Sequence, residues 1–198
     1  MAFDYGNAAV ISKIHILKFS DNKLLLQGLP PLLTPQTRVV ILGSFPSVRS
    51  LASQQYYAHP QNQMWRLVFN AFDVPNAAAL SQGDYEKRVK QLLKMGVGLW
   101  DVYAACQREG SLDCAIAHAQ LNDLASLRMR CPQLRAIAHN GGESFKHAKT
   151  VDTLINTQRA SMPSVAIVKL PSSSPAYASW SFERKLITWR AAFEPYKD

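Results

Sequence analysis

The chain has 198 residues, of which 47% are hydrophobic and 18% charged, a balance typical of a soluble globular protein and unlike that of a disordered or membrane-spanning one. Its formal charge of +8 permits a polyanionic partner without requiring one. Three cysteines, Cys106, Cys114 and Cys131, form no CxxC pair, which favours idle thiols in a reducing compartment over a zinc or iron–sulfur site.

The first 35 residues are expected to form an extension of a single domain that covers residues 1–198. Residues 14–19 and 23–27 flank a Ser-Asp-Asn turn, which predicts a small hairpin or an edge extension. Residues 28–35 are rich in proline and leucine and predict an ordered connector. Because no charged-then-apolar leader opens the chain, an intracellular location is expected: the cytoplasm of a bacterium, with the nucleoid, or the nucleus of a eukaryote.

Four short apolar runs predict strands buried on both faces of a sheet, and they cover residues 38–42, 97–100, 134–139 and 165–170. Helical patterns lie between them, with N-caps expected at Asp84, Asn122 and Ser181. The helix after Asn122 is expected to run to about Arg130, and another short helix is expected over residues 143–150. This alternation predicts an α/β fold of three layers, with a central, mainly parallel sheet between helices.

Polar residues follow each predicted strand, at the edge where an open α/β sheet usually binds its ligand. The loop at residues 43–65 reads GSFPSVRSLASQQYYAHPQNQMW and combines a small turn with flat rings, amides and an imidazole. Rings that sandwich a planar base, beside amides that contact its edge, suit a pocket for an extruded nucleobase.

The loop at residues 170–179 reads LPSSSPAYAS and offers consecutive hydroxyls and backbone N–H groups ahead of a helix. Such a segment can hold a phosphodiester, although a serine-rich turn taken alone is usually only solvated. The sequence has no GxxxxGK[ST], GxGxxG, HExxH or GxSxG motif, which argues against nucleotide-triphosphate or dinucleotide binding, zinc hydrolysis and serine hydrolysis.

These two loops, together with GVGLWDV at residues 96–102 and AHNGGESF at 138–145, resemble the uracil-DNA glycosylase superfamily, and most closely its hypoxanthine-DNA glycosylase branch. The resemblance covers about residues 28–193. It implies a four-stranded parallel sheet between helices and a monofunctional glycosylase of base excision repair, without metal or cofactor. The implied partner is DNA containing deaminated bases, hypoxanthine, uracil or both. The protein is expected to be a monomer, and its apolar runs, which are too short to span a bilayer, argue against a membrane partner.

The resemblance also implies which group holds the attacking water. Mismatch-specific relatives use an asparagine in the first motif, but this chain has Phe45 there, which can neither orient nor deprotonate water. In the branch resembled, the role passes to the asparagine of the HPxN segment, Asn62, which fixes a water by hydrogen bonds. The alternative for Asn62 is an amide that braces its loop.

In the second motif, uracil glycosylases carry a histidine where this chain has Leu170, so that electrophile is missing. The phosphate-gripping turn is matched by Pro171, Ser172, Ser173 and Ser174. Tyr177 falls where relatives push a wedge into the emptied base stack, although it could instead cover the core beneath the helix.

Base recognition is assigned to residues that follow the first predicted strand or end the second. Ser44 belongs to the turn that lies against the base, Phe45 and Tyr57 stack on the base, and Asp101 and His59 contact the edge of the base. Asp101 could equally brace the turn after its strand, and His59 could merely hold its loop. Asn140-Gly141-Gly142 is expected to be a mainly structural turn, and Trp65 and Trp100 are expected in the core.

Two other functions compete with the glycosylase. The loss of both the water-positioning asparagine and the histidine would also suit a non-catalytic module that senses bent or damaged DNA. A hydrolase of small nucleosides would use a similar pocket but would be insensitive to salt.

Overall fold

The computed structural model describes residues 25–157 and 163–197, so the expected strand at residues 14–19 lies outside the described residues. The strands are β1 Leu25–Gln27, β2 Val39–Gly43, β3 Val97–Asp101, β4 Tyr103–Gln107, β5 Ala117–Leu121, β6 Ala136–Asn140 and β7 Ala166–Leu170. The α-helices are α1 Val48–Ser53, α2 Met64–Ala71, α3 Ala77–Gln82, α4 Tyr85–Lys94, α5 Leu127–Arg130, α6 Gly142–Phe145, α7 Ala148–Asp152 and α8 Phe182–Phe193.

A four-stranded sheet with the order β3-β2-β6-β7 and only parallel pairs forms the centre of the fold. Its register sets Gly43 beside Asp101, and Asn140 beside Leu170, so that four strand ends align at one edge. The predicted parallel sheet is therefore confirmed, and each strand lies within about two residues of its expected bounds.

Alternate residues of the central strands fill two separate cores. Val39, Ile41 and Leu99 face the layer of α2, α3, α4 and α8, with Phe69 and Trp189 among the contacts. The opposite face, which includes Val40, Leu42 and Trp100, packs against β4, α5 and α7. The three-layer arrangement is thus confirmed, and Trp65 and Trp100 are buried as expected.

A second, antiparallel sheet with the order β1-β4-β5 covers part of that opposite face, and the sequence did not predict it. In it, Leu25 pairs with Gln107, so β1, which lies within the strand expected at residues 23–27, adds to β4 at the edge of this sheet. Within the described residues, no helix is long and apolar enough to cross a membrane.

Two of the three expected helix caps are confirmed. Asp84 accepts hydrogen bonds from the N–H groups of Glu86 and Lys87, and Ser181 accepts one from Arg184. The expectation for Asn122 was wrong: its side chain donates to the carbonyl of Asp101 at 2.9 Å, and the helix behind it is only a 3-10 turn followed by α5. A long-range hydrogen bond has overridden the local preference for a cap.

The helix expected over residues 143–150 is instead two short ones, α6 and α7. Gly141 precedes α6 with a φ of 103°, a conformation that favours glycine. A Cβ there would also lie 3.0 Å from the Cβ of Ser172, so the turn can approach the serine loop closely only because residue 141 has no side chain.

Candidate active site

A cavity of about 490 Å³ opens at the carboxyl ends of the central strands, a size that suits a small organic ligand. Its walls come from the loop after β2, the end of β3, the segment before β5, the end of β6 and the loop after β7. The cavity therefore lies where the parallel topology predicts a ligand site.

Ten of the eleven residues singled out in the sequence line this one cavity. They are Ser44, Phe45, Tyr57, His59, Asn62, Asp101, Ser172, Ser173, Ser174 and Tyr177. The exception is Pro171, which is not part of the wall and whose carbonyl accepts a hydrogen bond from the indole of Trp189 at 3.1 Å. The two loops also join directly, because the N–H of Gln63 donates to the carbonyl of Ser173 at 3.0 Å.

Asn62 has a fixed amide orientation. Its Oδ1 accepts from the N–H of Met64 at 3.0 Å, and because that partner is a donor, the bonded atom must be the oxygen. The Nδ2 group has no hydrogen-bond partner among the described residues, while the side chain lines the cavity. Asn62 thus braces the start of α2 and still presents an unused NH2 group and one lone pair.

Asn140 connects the serine loop to the aromatic loop. Its Nδ2 donates to the Ser173 hydroxyl at 2.9 Å and to the Tyr57 hydroxyl at 3.1 Å, and its Oδ1 accepts from the Ser173 N–H at 2.9 Å. Ser173 is fully buried, so the serine hydroxyls left on the open side of the loop are those of Ser172 and Ser174. Asn140 does more than shape a turn: it holds two walls of the cavity together.

Tyr57 adopts a left-handed backbone conformation, with a φ of 54°, which costs free energy in a bulky residue and is commonest at functional sites. Burial, and then the charge of Asp101, raise the pKa of its phenol, so the hydroxyl stays neutral near pH 7. A Cβ on Gly43 would lie 3.1 Å from that hydroxyl and 2.2 Å from Oδ1 of Asp101. Glycine at the end of β2 is therefore what allows both groups to reach the same corner.

Phe45 is buried, and the guanidinium of Arg108 lies 5.1 Å from the centre of its ring. Arg108 also donates to the carbonyl of Pro46, so it is fixed against the first loop. This distance is that of a cation–π interaction, which is favourable for the face of the ring. Phe45 therefore serves both as core and as cavity wall.

His59 accepts a hydrogen bond at Nδ1 from the N–H of Gln61, at 3.3 Å. In the neutral imidazole this puts the proton on Nε2, which makes that nitrogen a donor. His59 lines the cavity and so provides a donor group at its wall.

Asp101 is only 4% exposed, and its Oδ2 has no hydrogen-bond partner in the described part of the chain. Burial raises its pKa to about 7, the charge of Asp113 acts in the same direction, and Arg108 opposes them. A carboxyl group that takes up a proton near neutral pH inside a cavity has the character of a functional acid or base.

Lys185 lies on α8 with 2% of its surface exposed, yet its ammonium contacts both loops. It donates to Oε1 of Gln63 at 3.0 Å and to the carbonyl of Tyr177 at 2.9 Å. Sequence reasoning missed this residue. The available signal was a lysine within the apolar stripe of the last helix, between Phe182 and Trp189.

The segment at residues 111–114 was also missed, and it forms a cavity wall. Two hydrogen bonds tie it to the first loop: the Ser44 hydroxyl donates to Asp113 at 2.6 Å, and the Val48 N–H donates to Ser111 at 3.0 Å. No local pattern marks this segment as a wall, because the antiparallel sheet carries it there. Residues 25–157 and 163–197 contain no group of three or more His, Cys, Asp or Glu residues that could hold a metal ion.

Comparisons with known proteins identify the family. Residues 30–193 match the family model of the uracil DNA glycosylase superfamily. A "Hypoxanthine DNA glycosylase" of Methanosarcina acetivorans is 35% identical over 86% of this chain and 99% of its own length, and one of Methanosarcina barkeri is 36% identical over 61% and 74%.

A solved structure supports the same assignment. It is a solution NMR structure of a Methanosarcina acetivorans protein described, provisionally, as a uracil DNA glycosylase. It superimposes with a TM-score of 0.73 at 35% identity and covers 88% of this chain and 99% of its own. The chain belongs to the uracil DNA glycosylase superfamily.

Proposed function

We propose that the protein is a monofunctional DNA glycosylase that hydrolyses the N-glycosidic bond of deaminated bases in DNA, hypoxanthine above all, and thereby initiates base excision repair. The observation that carries the proposal is the convergence of a fixed amide, stacking rings and a serine turn on one cavity, in a chain whose relatives bear the name hypoxanthine DNA glycosylase. No lysine lies among the described residues of the cavity wall, which supports hydrolysis without a Schiff base.

The glycosidic bond breaks through a cation-like sugar while negative charge gathers on the departing base. Catalysis therefore needs an extruded nucleotide, a water held on the far side of the sugar, and contacts that strengthen as charge develops. Asn62 supplies the water site: its NH2 group donates to the water oxygen and its remaining Oδ1 lone pair accepts from a water hydrogen. The hydrogen bond from the Met64 N–H keeps the amide from rotating. The amide orients the water and does not deprotonate it.

The serine turn grips the DNA backbone. The hydroxyl of Ser172 accepts from the Ser174 N–H, and that of Ser174 accepts from the Ala176 N–H, both at 3.2 Å. Each hydroxyl proton is then left to donate to a phosphate oxygen, and the fixed turn costs little entropy on binding. Pro171 and Ser173 shape the turn from beneath, Tyr177 fills the gap in the base stack, and the net charge of +8 favours the approach of DNA.

The extruded base lies between the rings of Phe45 and Tyr57, with the Ser44 turn against it. The Nε2–H of His59 donates to a base oxygen, which fits hypoxanthine because its six-position carries a carbonyl. The activity requires neither metal nor cofactor, and one monomeric domain suffices, since a single cavity contains every group named except Pro171.

The test is a panel of duplexes that each carry one lesion, assayed under single-turnover conditions with the wild-type protein and Asn62→Ala. We expect wild type to release hypoxanthine and Asn62→Ala to lose about 100-fold or more in rate while it still binds DNA. Asn70→Ala is the matched control, because that amide donates only to a carbonyl of its own helix. A wild-type protein that binds lesions and releases no base would instead be a damage sensor.

A further inference from the structure

Asp101 is buried without the compensation that a buried carboxylate needs. It ends β3 at the cavity wall with 4% of its surface exposed, and its Oδ2 has no hydrogen-bond partner within the described residues. No Lys, Arg or His in the described ranges forms an ion pair with it. Burial therefore raises the free energy of the charged carboxylate, and no ion pair offsets that cost. The neutral carboxyl group loses much less hydration on burial, so the protonated form is favoured.

The groups that face Asp101 come from three parts of the chain. Asp113 approaches from the segment before β5 and favours the protonated form, although the Ser44 hydroxyl already engages its carboxylate. Arg108 favours the charged form, and its guanidinium donates to the Pro46 carbonyl and lies over the Phe45 ring. Its Nε and Nη1 are buried and have no hydrogen-bond partner among the described residues, so no hydrogen bond joins them to the Asp101 carboxyl group. The phenols of Tyr56 and Tyr57, from the first loop, stay neutral because burial and the charge of Asp101 raise the pKa of both.

The balance of these effects raises the pKa of Asp101 to about 7, with burial as the largest cause. At neutral pH a large fraction of the protein then carries a proton on this group. A proton donor is most effective when its pKa lies near the working pH, and the position, at the wall of a base-sized cavity, is where such a donor would meet a substrate.

We propose that Asp101 acts in its protonated form as the general acid that donates to a ring nitrogen of a flipped purine. The inference rests on the proposed function and deepens it, because it names the residue that protonates the departing purine. As the C1′–N9 bond breaks, its electron pair goes to the base, and the carboxyl proton moves to a ring nitrogen of that base, so that the base leaves neutral. The water adds its oxygen to C1′, its spare proton passes to solvent, and solvent returns a proton to Asp101.

The purine specificity follows from leaving-group chemistry. A purine carries basic ring nitrogens, among them the N7 acceptor, and protonation there converts a departing anion into a neutral molecule. Uracil has only carbonyl oxygens and an N–H in the corresponding positions and gains much less from an acid. Asp101 therefore selects hypoxanthine over uracil through the chemistry of the leaving group.

The experiment measures single-turnover release at saturating protein, from pH 5.5 to 9, on duplexes containing deoxyinosine or deoxyuridine. For deoxyinosine, the wild-type rate is expected to be level below an apparent pKa near 7 and to fall about tenfold per pH unit above it. Asp101→Asn is isosteric and uncharged, and its rate should be about 10²–10⁴-fold lower and independent of pH. Any deoxyuridine cleavage should change by no more than a few-fold.

The outcomes separate the two proposals. A wild-type protein that releases no base from any duplex overturns the proposed function. If the wild-type protein cleaves deoxyinosine and Asp101→Asn does so at the same rate, or loses both substrates equally, the general acid is overturned while the glycosylase stands. Should Asp101→Asn fail to fold, the wild-type profile decides alone, since a deoxyinosine rate that is level from pH 6 to 9 contradicts the proposal.

Discussion

The ammonium of Lys185 lies 3.0 Å from Oε1 of Gln63, and these two residues are 122 positions apart in the chain. The same ammonium donates to the carbonyl of Tyr177. One buried cation on the last helix thus fixes the residue next to Asn62 and the residue that ends the serine turn. Lys185 is therefore a third link between the two loops, beside the direct bond from Gln63 to Ser173 and the bridge that Asn140 makes.

Lys185→Met tests this coupling, since methionine keeps most of the stem and removes the three N–H donors. Burial lowers the pKa of this lysine, so the variant also removes an unfavourable charge, and we expect little loss of free energy of unfolding. Single-turnover release of hypoxanthine should fall about tenfold to 100-fold, because Asn62 and Tyr177 lose their common support.

The measurement that identifies a positioning residue is the split between rate and affinity. The Kd for lesion DNA should change by no more than a few-fold, and Lys185→Arg should recover part of the rate. Lys90→Met, an exposed lysine on α4, is the control and should match wild type. A rise in Kd and a loss of stability, with an unchanged rate, would show that Lys185 only stabilises the fold.

Asn140→Ala should lower the free energy of unfolding and slow the release of hypoxanthine. The change leaves the N–H and hydroxyl of the buried Ser173 without their partners, and an unsatisfied buried group costs about 1–3 kcal/mol. Urea denaturation measures the loss, with Asn70→Ala as an exposed amide control expected to stay within about 0.5 kcal/mol of wild type. Equal stability of the two variants would contradict the bracing role of Asn140.

The fold was largely predictable because its central strands are continuous apolar runs that only a doubly covered sheet can bury. The same topology brought ten predicted residues to one cavity, since parallel strands end at a common edge. What the sequence could not supply were partners distant in the chain. The Asn122 amide donates a hydrogen bond to the Asp101 carbonyl instead of capping a helix. The β1-β4-β5 sheet brings residues 111–114 to the cavity.

Lys185 shows which part of the site could be predicted from the sequence and which could not. Its position within an apolar stripe was visible, but nothing near it in the sequence identifies Gln63 as its acceptor. For Asn140, the sequence predicted that the strand end would lie at the site but did not predict its hydrogen bonds. These bonds join Asn140 to Ser173, 33 residues away, and to Tyr57, 83 residues away.

The unusual state of Asp101 also predicts a dependence of stability on pH. Its folded-state pKa, about 7, is raised above the unfolded value of about 3.9, so the native protein holds a proton that the unfolded chain has lost between those values. The contribution of this group to stability therefore falls as pH rises from about 4 to 7 and is level above. At pH 8 the buried charge costs up to about 4 kcal/mol.

Asp101→Asn should remove that cost. We expect the variant to gain stability relative to wild type at pH 8 and to gain much less at pH 5, as measured by urea denaturation at both values. Asp123→Asn, which changes an exposed carboxylate just before the 3-10 turn, should show no such difference between the two pH values. A gain that is the same at pH 5 and pH 8 would mean that Asp101 is not protonated in the native protein.

Leu112 is 57% exposed at the rim of the cavity, on a segment that Ser44 and Val48 pin to the first loop. A fixed, exposed apolar side chain beside an extrusion site can enter a base step as a wedge. Leu112→Ser should therefore slow base release from duplex DNA about tenfold, which corresponds to about 1.4 kcal/mol of lost support for extrusion. The rate on single-stranded DNA should not change, because that substrate needs no unstacking.

Ile187→Ser is the control, because that residue is equally apolar and 70% exposed but lies on α8 away from the cavity wall. Equal losses on both kinds of DNA would place Leu112 in general DNA contact, whereas a duplex-specific loss makes it a second wedge.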